Sequence, residues 1–225
     1  MDEETISLAT LRAYLWYAAN MDIFLQSIAL SASHVPFLKE PKKEKQIIQD
    51  EDMIALLAAP PDTQKGNRDR MIMILLYDTA IRIAELLELK ISSLKLTSVP
   101  SIHIHGKGDK ERRVYFDAKA KVHLKDYINT RTDKNKALFV TLDAPHDRLK
   151  ISGVEIRLRK LGRKLSLERI HPHKFRRSMA TRAIDKGMPI EQVQKILGHS
   201  QIDTTMQYAM VNQNNVKTAH QKYLA

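Results

Sequence analysis

The sequence has no cysteine among its 225 residues, which excludes disulfide bonds and thiolate metal sites. Long hydrophobic runs are also absent, because the longest, MIMILLY at 71–77, is far too short to span a bilayer. The N-terminal stretch MDEETISLAT is acidic and lacks the positive charge with which a signal peptide begins. These absences predict a soluble protein of the cytoplasm.

Acidic residues are too few to balance the basic ones, and the formal net charge is +11. Residues 151–225 hold 14 Lys and Arg against 5 Asp and Glu, whereas the first 150 residues hold 23 against 21. A local basic excess indicates an anionic polymer as partner, most simply nucleic acid. A solubilising surface charge is the alternative explanation.

The hydrophobic content of 43% predicts a packed interior, and its periodicity predicts an α+β domain that is mainly α. Alternation on both sides of GKGD in 101–116 indicates a β-hairpin, and a third short antiparallel strand is expected at 92–96. Asp50 is expected to cap a short helix through MIALLAA, and Gly187 and Gly198 are expected to end later helices. The remaining helices are expected at about 5–20, 67–80, 82–89, 117–129, 152–165, 174–186, 190–197 and 201–208.

Side chains suited to phosphate chemistry recur in four places. Each has an ordinary explanation when taken alone: an ion pair, a solvated lysine in a turn, a helix cap or a packing tyrosine. Together they supply a nucleophilic hydroxyl, two cations that bind phosphate bidentately, and groups for proton transfer. That combination fits phosphodiester cleavage by a side-chain nucleophile, for which no metal is required. The residues are Arg82 with Glu85, Lys107 in the hairpin turn, His173 with Arg176, and His199 with Tyr208.

In this order, the residues resemble the catalytic signature of the tyrosine recombinases, the phage-integrase family of DNA breaking and rejoining enzymes. The resemblance covers about residues 48–215 and includes RIAELLEL, GKGDKERRV and MATRAIDKGMPIEQVQKILGHSQIDTTMQYA. The motif sequences most resemble those of integrases of phages and conjugative transposons. The resemblance implies a DNA breaking–rejoining catalytic domain that acts as a site-specific recombinase for integration or excision of a mobile element.

The resemblance also implies a role for each matched residue. Tyr208 attacks the scissile phosphate and forms a 3′-phosphotyrosyl link. Lys107 protonates the departing 5′ oxygen, which leaves as a 5′-hydroxyl. Arg82 and Arg176 clamp the non-bridging oxygens. His173 helps to accept the tyrosine proton, and His199 hydrogen-bonds the phosphate. Glu85 supports the site. Further DNA contacts are expected from Arg177, Lys174 and Lys110.

The implied partners are double-stranded DNA, three further copies of the chain in a tetramer on DNA, and accessory directionality factors. Because the phosphotyrosyl link conserves bond energy, neither ATP nor another cofactor is expected. Association with the nucleoid follows from the DNA substrate. By the same resemblance, residues 1–30 hold the last helix of a truncated core-binding domain, 31–47 a linker, and 48–225 the catalytic domain with its tail. For the tail at 212–225, a helix docked on a neighbouring protomer and a frayed end both stay open.

Two positions depart from the family pattern. Ala80 stands where members commonly have glycine, which is tolerable provided that its φ is not positive. Arg177 replaces a common histidine, and the additional cation is expected to meet the DNA backbone.

Other functions remain as alternatives. A type IB topoisomerase shares this chemistry and fold, and a non-catalytic DNA-binding remnant would keep the fold alone. The paired histidines His103 with His105 and His171 with His173 have a spacing compatible with metal ligation, but no cysteine or converging carboxylate accompanies them. The GKGDK turn lacks the spacing of a nucleotide-binding loop.

Overall fold

The computed structural model describes residues 3–36, 46–105, 111–167, 169–209 and Gln221. The chain forms two compact units, Met1–Lys45 and Gln46–Ala225. In the described residues, no helix is both long enough and apolar enough to cross a membrane. The predicted hairpin tip at 106–110 and nearly all of the predicted tail lie outside the described residues.

The first unit consists of helix α1 (Glu3–Met21), a short 3-10 turn (Ile23–Leu25) and helix α2 (Gln26–His34). Nε of Arg12 on α1 donates to the Ala32 carbonyl at 2.8 Å, which ties the two helices together. The pattern predicted irregular chain from residue 31, but α2 continues to His34. It does so because the hydroxyls of Ser31 and Ser33 donate to carbonyls of the preceding turn, a bonding mode that accommodates serine within a helix.

The second unit is mainly helical and contains a three-stranded antiparallel sheet in the order β1-β2-β3. Leu94 pairs with Ile102, which in turn pairs with Val114 on the third strand. The predicted fold class is therefore confirmed. The strands are β1 (Leu94–Lys95), β2 (Ser101–His105) and β3 (Glu111–Tyr115); the helices are α3 (Asp50–Ala58), α4 (Gln64–Asp78), α5 (Ile83–Glu88), α6 (Ala118–Asn129), α7 (Ile151–Lys164), α8 (Pro172–Asp185), α9 (Ile190–Leu197) and α10 (Asp203–Met206).

Helix α4 is the centre of this unit. Its residues 71–76, MIMILL, are all buried, as a helix that is apolar on every side requires. It packs against α6 on one side and α8 on another. Helix α4 therefore supports α8, which carries two of the predicted site residues.

The N-cap of α3 and the length of α10 differ from prediction. Gln49, not Asp50, occupies the N-cap position of α3, and the Asp50 carboxylate instead pairs with Arg182. Helix α10 has four residues rather than the predicted eight, because the N–H of Tyr208 donates to the Thr205 carbonyl three residues back. Bonds of this type tighten the chain into a 3-10 turn and end an α-helix.

The expectation for Ala80 was wrong, because its φ is +48°. Ala80 follows Thr79, the C-cap of α4, at the position where a left-handed glycine commonly ends a helix. In this left-handed region, the Cβ of a non-glycine residue costs about 1–2 kcal/mol. Ala80 is completely buried, and its carbonyl accepts a hydrogen bond from Arg176. Its strained backbone therefore forms part of the support for α8.

We expect Ala80→Gly to be tolerated better than Ala180→Gly, by roughly 2 kcal/mol in the free energy of unfolding. Both alanines are 0% exposed in the same hydrophobic cluster, so both changes delete one buried methyl group. At residue 80 the change also relieves the left-handed strain, whereas within α8 it introduces the poor helix propensity of glycine, about 1 kcal/mol. Urea unfolding of the two variants measures the difference. Equal losses would contradict strain at Ala80.

Candidate active site

The guanidinium of Arg176 on α8 is held by backbone carbonyls from two loops. Nη1 donates to the Ala80 carbonyl after α4, and Nη2 donates to the Leu197 carbonyl at the C-terminus of α9. A helix C-terminus carries partial negative charge and unpaired carbonyls, which suits a cation that is only 4% exposed. Burial, with the nearby Arg82 and Arg112, lowers the pKa of Arg176 to about 10. The group is therefore charged at neutral pH.

Arg82 lies at the N-cap position of α5 and forms a reciprocal pair with Glu85 in the first turn. Oε2 of Glu85 accepts the backbone N–H of Arg82 at 3.0 Å, and Oε1 accepts Nη1 at 3.0 Å. Nη2 of Arg82 donates to the Gly198 carbonyl at 3.2 Å. These contacts fix Arg82 beside the loop that carries His199.

Arg112 on β3 binds the same carboxylate. Its Nη1 donates to Oε1 of Glu85 at 3.0 Å and its Nη2 donates to Oε2 at 2.7 Å. Burial by itself raises the pKa of Glu85, but hydrogen bonds from Arg112 and Arg82 outweigh it and lower this pKa to about 2. Glu85 is therefore ionised between two arginines.

His199 is a neutral imidazole with a defined tautomer. Its Nε2 lies 3.1 Å from Nη2 of Arg176, and because a guanidinium can only donate, Nε2 must be the acceptor. The proton then lies on Nδ1, which donates to Oγ1 of the buried Thr205 at 2.9 Å. Burial, followed by the charges of Arg176, Arg82 and Arg112, lowers the pKa of His199 to about 4.

Tyr208 and His173 complete the group. The ring of Tyr208 stacks beside that of His199, with 6.3 Å between centroids, and Tyr208 packs against the Ala80–Ala180 hydrophobic cluster. His173 lies three residues before Arg176 on α8. Burial and the charges of Arg176, Arg177 and Arg82 lower the pKa of His173, which favours its neutral, proton-accepting form.

Five of the six residues predicted to be catalytic thus lie in one electrostatically coupled group. The sixth, Lys107, lies outside the described residues, as does the predicted DNA contact Lys110. Lys174 is only 8% exposed, which argues against the phosphate contact predicted for it. Arg177 is partly exposed, and its Nη1 donates to the Gln46 carbonyl at 3.2 Å.

The family is decided by comparison with known proteins, in which residues 46–215 match the phage integrase family. The chain belongs to this family of tyrosine recombinases. The tyrosine recombinase XerC of Staphylococcus epidermidis is 31% identical over 194 residues, which cover 82% of this chain and 65% of that protein. The chain therefore spans less than two thirds of the length of this relative.

Solved tyrosine recombinases share the fold. A crystal structure of XerA recombinase has a TM-score of 0.69 at 24% identity and covers 99% of this chain and 85% of its own. The Tn1549 transposon integrase, in complex with a circular intermediate DNA, has a TM-score of 0.73 at 18% identity and covers 100% and 80%. The resemblance inferred from the motifs is thus confirmed, together with the fold it implied.

Sequence reasoning missed two residues that contact this group, Arg112 and Thr205. Arg112 lies two positions before the buried Val114 on β3, so strand alternation places both on the inward face. A cation on that face needs a buried partner, which is the signal that could have identified it. Thr205 gave no comparable signal, because its contact with His199 depends on the short helix α10.

Glu85 should stabilise the fold at neutral pH and lose this effect in acid. Its folded pKa of about 2 lies below the ordinary value of 4.5, so the unfolded state takes up the proton first as the pH falls. The stability advantage over Glu85→Gln should be complete above about pH 5 and should shrink towards pH 2. Urea unfolding at successive pH values measures it. A stability difference that does not change between pH 5 and pH 2 would contradict the ionised, paired state of Glu85.

Thr205→Val should change the tautomer of His199. Valine keeps the shape of threonine but removes the oxygen that accepts from Nδ1, which leaves that N–H without its 2.9 Å partner and costs about 1 kcal/mol in stability. The imidazole 15N shifts at pH 7 should report the Nδ1–H form in the wild type and a tautomer mixture in the valine variant. Thr205→Ser should retain the wild-type shifts. A wild-type ring protonated at Nε2 would contradict the assignment.

Proposed function

We propose that this chain carries the catalytic site of a site-specific DNA recombinase that cleaves and rejoins DNA through a 3′-phosphotyrosyl intermediate. One observation carries the proposal. The Tyr208 phenol stacks against His199, whose Nε2 accepts a hydrogen bond from the buried Arg176. The ring of Tyr208, which carries a potential nucleophile, thus lies beside the histidine that contacts a fixed cation, and phosphoryl transfer requires a nucleophile and a cation together.

The reaction would be a transesterification. The Tyr208 oxygen forms a bond to phosphorus as the bond to the 5′ oxygen breaks, and the phenolic proton passes to the neutral His173. Lys107 would give a proton to the departing 5′ oxygen. One phosphate ester is exchanged for another, so the step balances without ATP or an oxidant. Attack by a 5′-hydroxyl of another strand reverses the step and exchanges strands.

Electrostatics support this assignment. Three positive charges lie on Arg82, Arg112 and Arg176, and one negative charge lies on Glu85. The net charge of these four side chains is therefore +2. Fixed positive charge of this kind stabilises the non-bridging oxygens of a phosphodiester in the transition state. Guanidinium groups are well suited to the task because they bind phosphate oxygens bidentately.

DNA is the proposed substrate for two further reasons. The Tn1549 integrase, which shares the fold, is described in complex with DNA. The chain also exposes a run of cations on α7: Arg159, Lys160, Arg163 and Lys164. Such a surface suits a polyanion.

We further propose that four copies of the chain assemble on DNA and that accessory directionality factors act with them. The proposed place of action is the nucleoid in the cytoplasm.

The proposed role is integration or excision of a mobile element, and it rests on the wording of the motifs. The name of the compared XerC protein includes no mobile element. The Tn1549 protein is named as a transposon integrase, but at 18% identity it shows only the fold, so the motif sequences carry this finer assignment. The proposed division of the chain keeps residues 48–225 as the catalytic part and assigns the preceding helices to the end of a core-binding domain. The linker predicted at 31–47 can begin only after His34, where α2 ends.

Covalent trapping tests the proposal. The protein is incubated with a library of duplexes of random sequence, each nicked so that cleavage releases a short 5′-hydroxyl fragment that diffuses away. We expect a protein–DNA adduct that survives denaturation, forms in the presence of a metal chelator and disappears in Tyr208→Phe. Tyr115→Phe is the matched control, because it removes a phenolic hydroxyl from an exposed position on β3.

Sequencing of the trapped DNA separates the alternatives. Enrichment of one sequence supports a recombinase, whereas adducts on all sequences, with relaxation of supercoiled plasmid, would indicate a topoisomerase. An adduct that persists at the wild-type yield in Tyr208→Phe would contradict the nucleophile. DNA binding without any adduct would favour the non-catalytic alternative.

A further inference from the structure

We propose that Arg112 is a positioning residue of the recombination reaction. By binding both carboxylate oxygens of Glu85, Arg112 lets Glu85 hold Arg82 in place without neutralising its charge. This inference rests on the proposed function and deepens it. The matched stretch GKGDKERRV contains Arg112 but gave it no role, yet Arg112 makes more side-chain hydrogen bonds to Glu85 than Arg82 does.

Burial distinguishes the two arginines that share Glu85. The side chain of Arg112 is 13% exposed and that of Glu85 is 10% exposed, whereas that of Arg82 is 40% exposed. Arg112 is therefore the enclosed partner, and Arg82 is the one that can reach a bound phosphate. A bidentate arginine–carboxylate pair is also the strongest form of this interaction, so Arg112 takes the larger share of the carboxylate.

The competition for Glu85 explains why Arg112 matters to Arg82. Both oxygens of Glu85 accept from Arg112, and each also accepts once from Arg82, through Nη1 or the backbone N–H. Without Arg112, two acceptor positions open on a carboxylate that is largely buried. The guanidinium of Arg82 is the remaining cation bonded to it, and a bidentate pair would turn Arg82 away from the phosphate.

Arg112 also touches the loop that carries His199. A Cβ built on Gly198 would lie 3.1 Å from Nη1 of Arg112 and 3.2 Å from its Cδ, so the guanidinium packs directly over this residue. The carbonyl of Gly198 accepts from Nη2 of Arg82. One side chain on β3 thus braces both α5 and the turn after α9. Arg112 also anchors β3, the strand that follows Lys107 in the sequence.

The test compares Arg112→Gln with Arg113→Gln in single-turnover cleavage of a trapped DNA sequence. The two changes remove the same charge from adjacent residues, but Arg113 is exposed. We expect Arg112→Gln to lower the cleavage rate at saturating DNA by about 10- to 100-fold, as a displaced phosphate clamp does. Arg113→Gln should stay within about twofold of wild type. Arg112→Lys should remain impaired, because lysine keeps the charge but cannot bind both oxygens in one plane.

A double substitution tests whether the effect passes through Glu85. If Arg112 acts by occupying this carboxylate, Arg112→Gln adds little to Glu85→Gln, and the double variant is no slower than the slower single variant. Multiplied losses would overturn the mechanism.

Modified DNA tests which part of the reaction Arg112 supports. A methylphosphonate at the scissile position, which lacks one anionic oxygen, should reduce the Arg112→Gln defect. A 5′-bridging sulfur, which needs no proton to depart, should not reduce it. The opposite result would assign Arg112 to the leaving group.

A measurement without DNA separates this inference from the proposed function. The 13C titration of the Glu85 carboxyl should show a higher pKa in Arg112→Gln than in the wild type, and an unchanged pKa would overturn the inference. A wild-type adduct with an unimpaired Arg112→Gln would contradict only the role of Arg112. Failure of the wild type to form any adduct would contradict the proposed function itself.

Discussion

Mutual repulsion between the guanidinium groups of Arg82, Arg112 and Arg176 is the constraint that the rest of the site must satisfy. Glu85 offsets one of the three charges. The other acceptors are Nε2 of His199 and the backbone carbonyls of Ala80, Leu197 and Gly198. Carbonyl oxygens hold a cation in place without cancelling its charge. The arrangement therefore preserves a net positive centre in a partly buried setting, where charges act more strongly than in water.

This use of carbonyls explains why strained or special backbone surrounds the site. Ala80 and Gly198 both have positive φ, at +48° and +61°, and both place a carbonyl on a site arginine. The two turns end α4 and α9, so helix packing fixes their positions. The central helix α4 is buried over 71–76, which gives the turn at Ala80 a firmly packed base. Local strain at such a turn persists because the surrounding packing overdetermines it.

Periodicity was sufficient to predict most of the fold, and residue order singled out five residues that the structure brings together. The hairpin, the buried helix at α4 and the sharing of one face by His173 and Arg176 follow from local spacing. The φ of Ala80, the acceptors of Arg176 and the burial of Lys174 do not, because they depend on how distant segments pack. Arg112 was hidden for the same reason. Its partner Glu85 lies 27 residues earlier, and only the assembled sheet and helix bring them together.

The hydrogen bonds of His199 show how this site could meet a phosphate without changing its charge. In the free protein, Nε2 accepts from Arg176, so it cannot donate to an incoming oxygen. A phosphate that takes this N–H of Arg176 would leave Nε2 without a donor. The Thr205 hydroxyl, which now accepts from Nδ1, can equally donate to it. The ring could then carry its proton on Nε2 and donate to the phosphate. A pKa of about 4 keeps the imidazole neutral, so phosphate binding would change the tautomer of His199 and not its charge. Because the Thr205 hydroxyl can accept or donate, it would satisfy Nδ1 in both tautomers without a rotation of the ring.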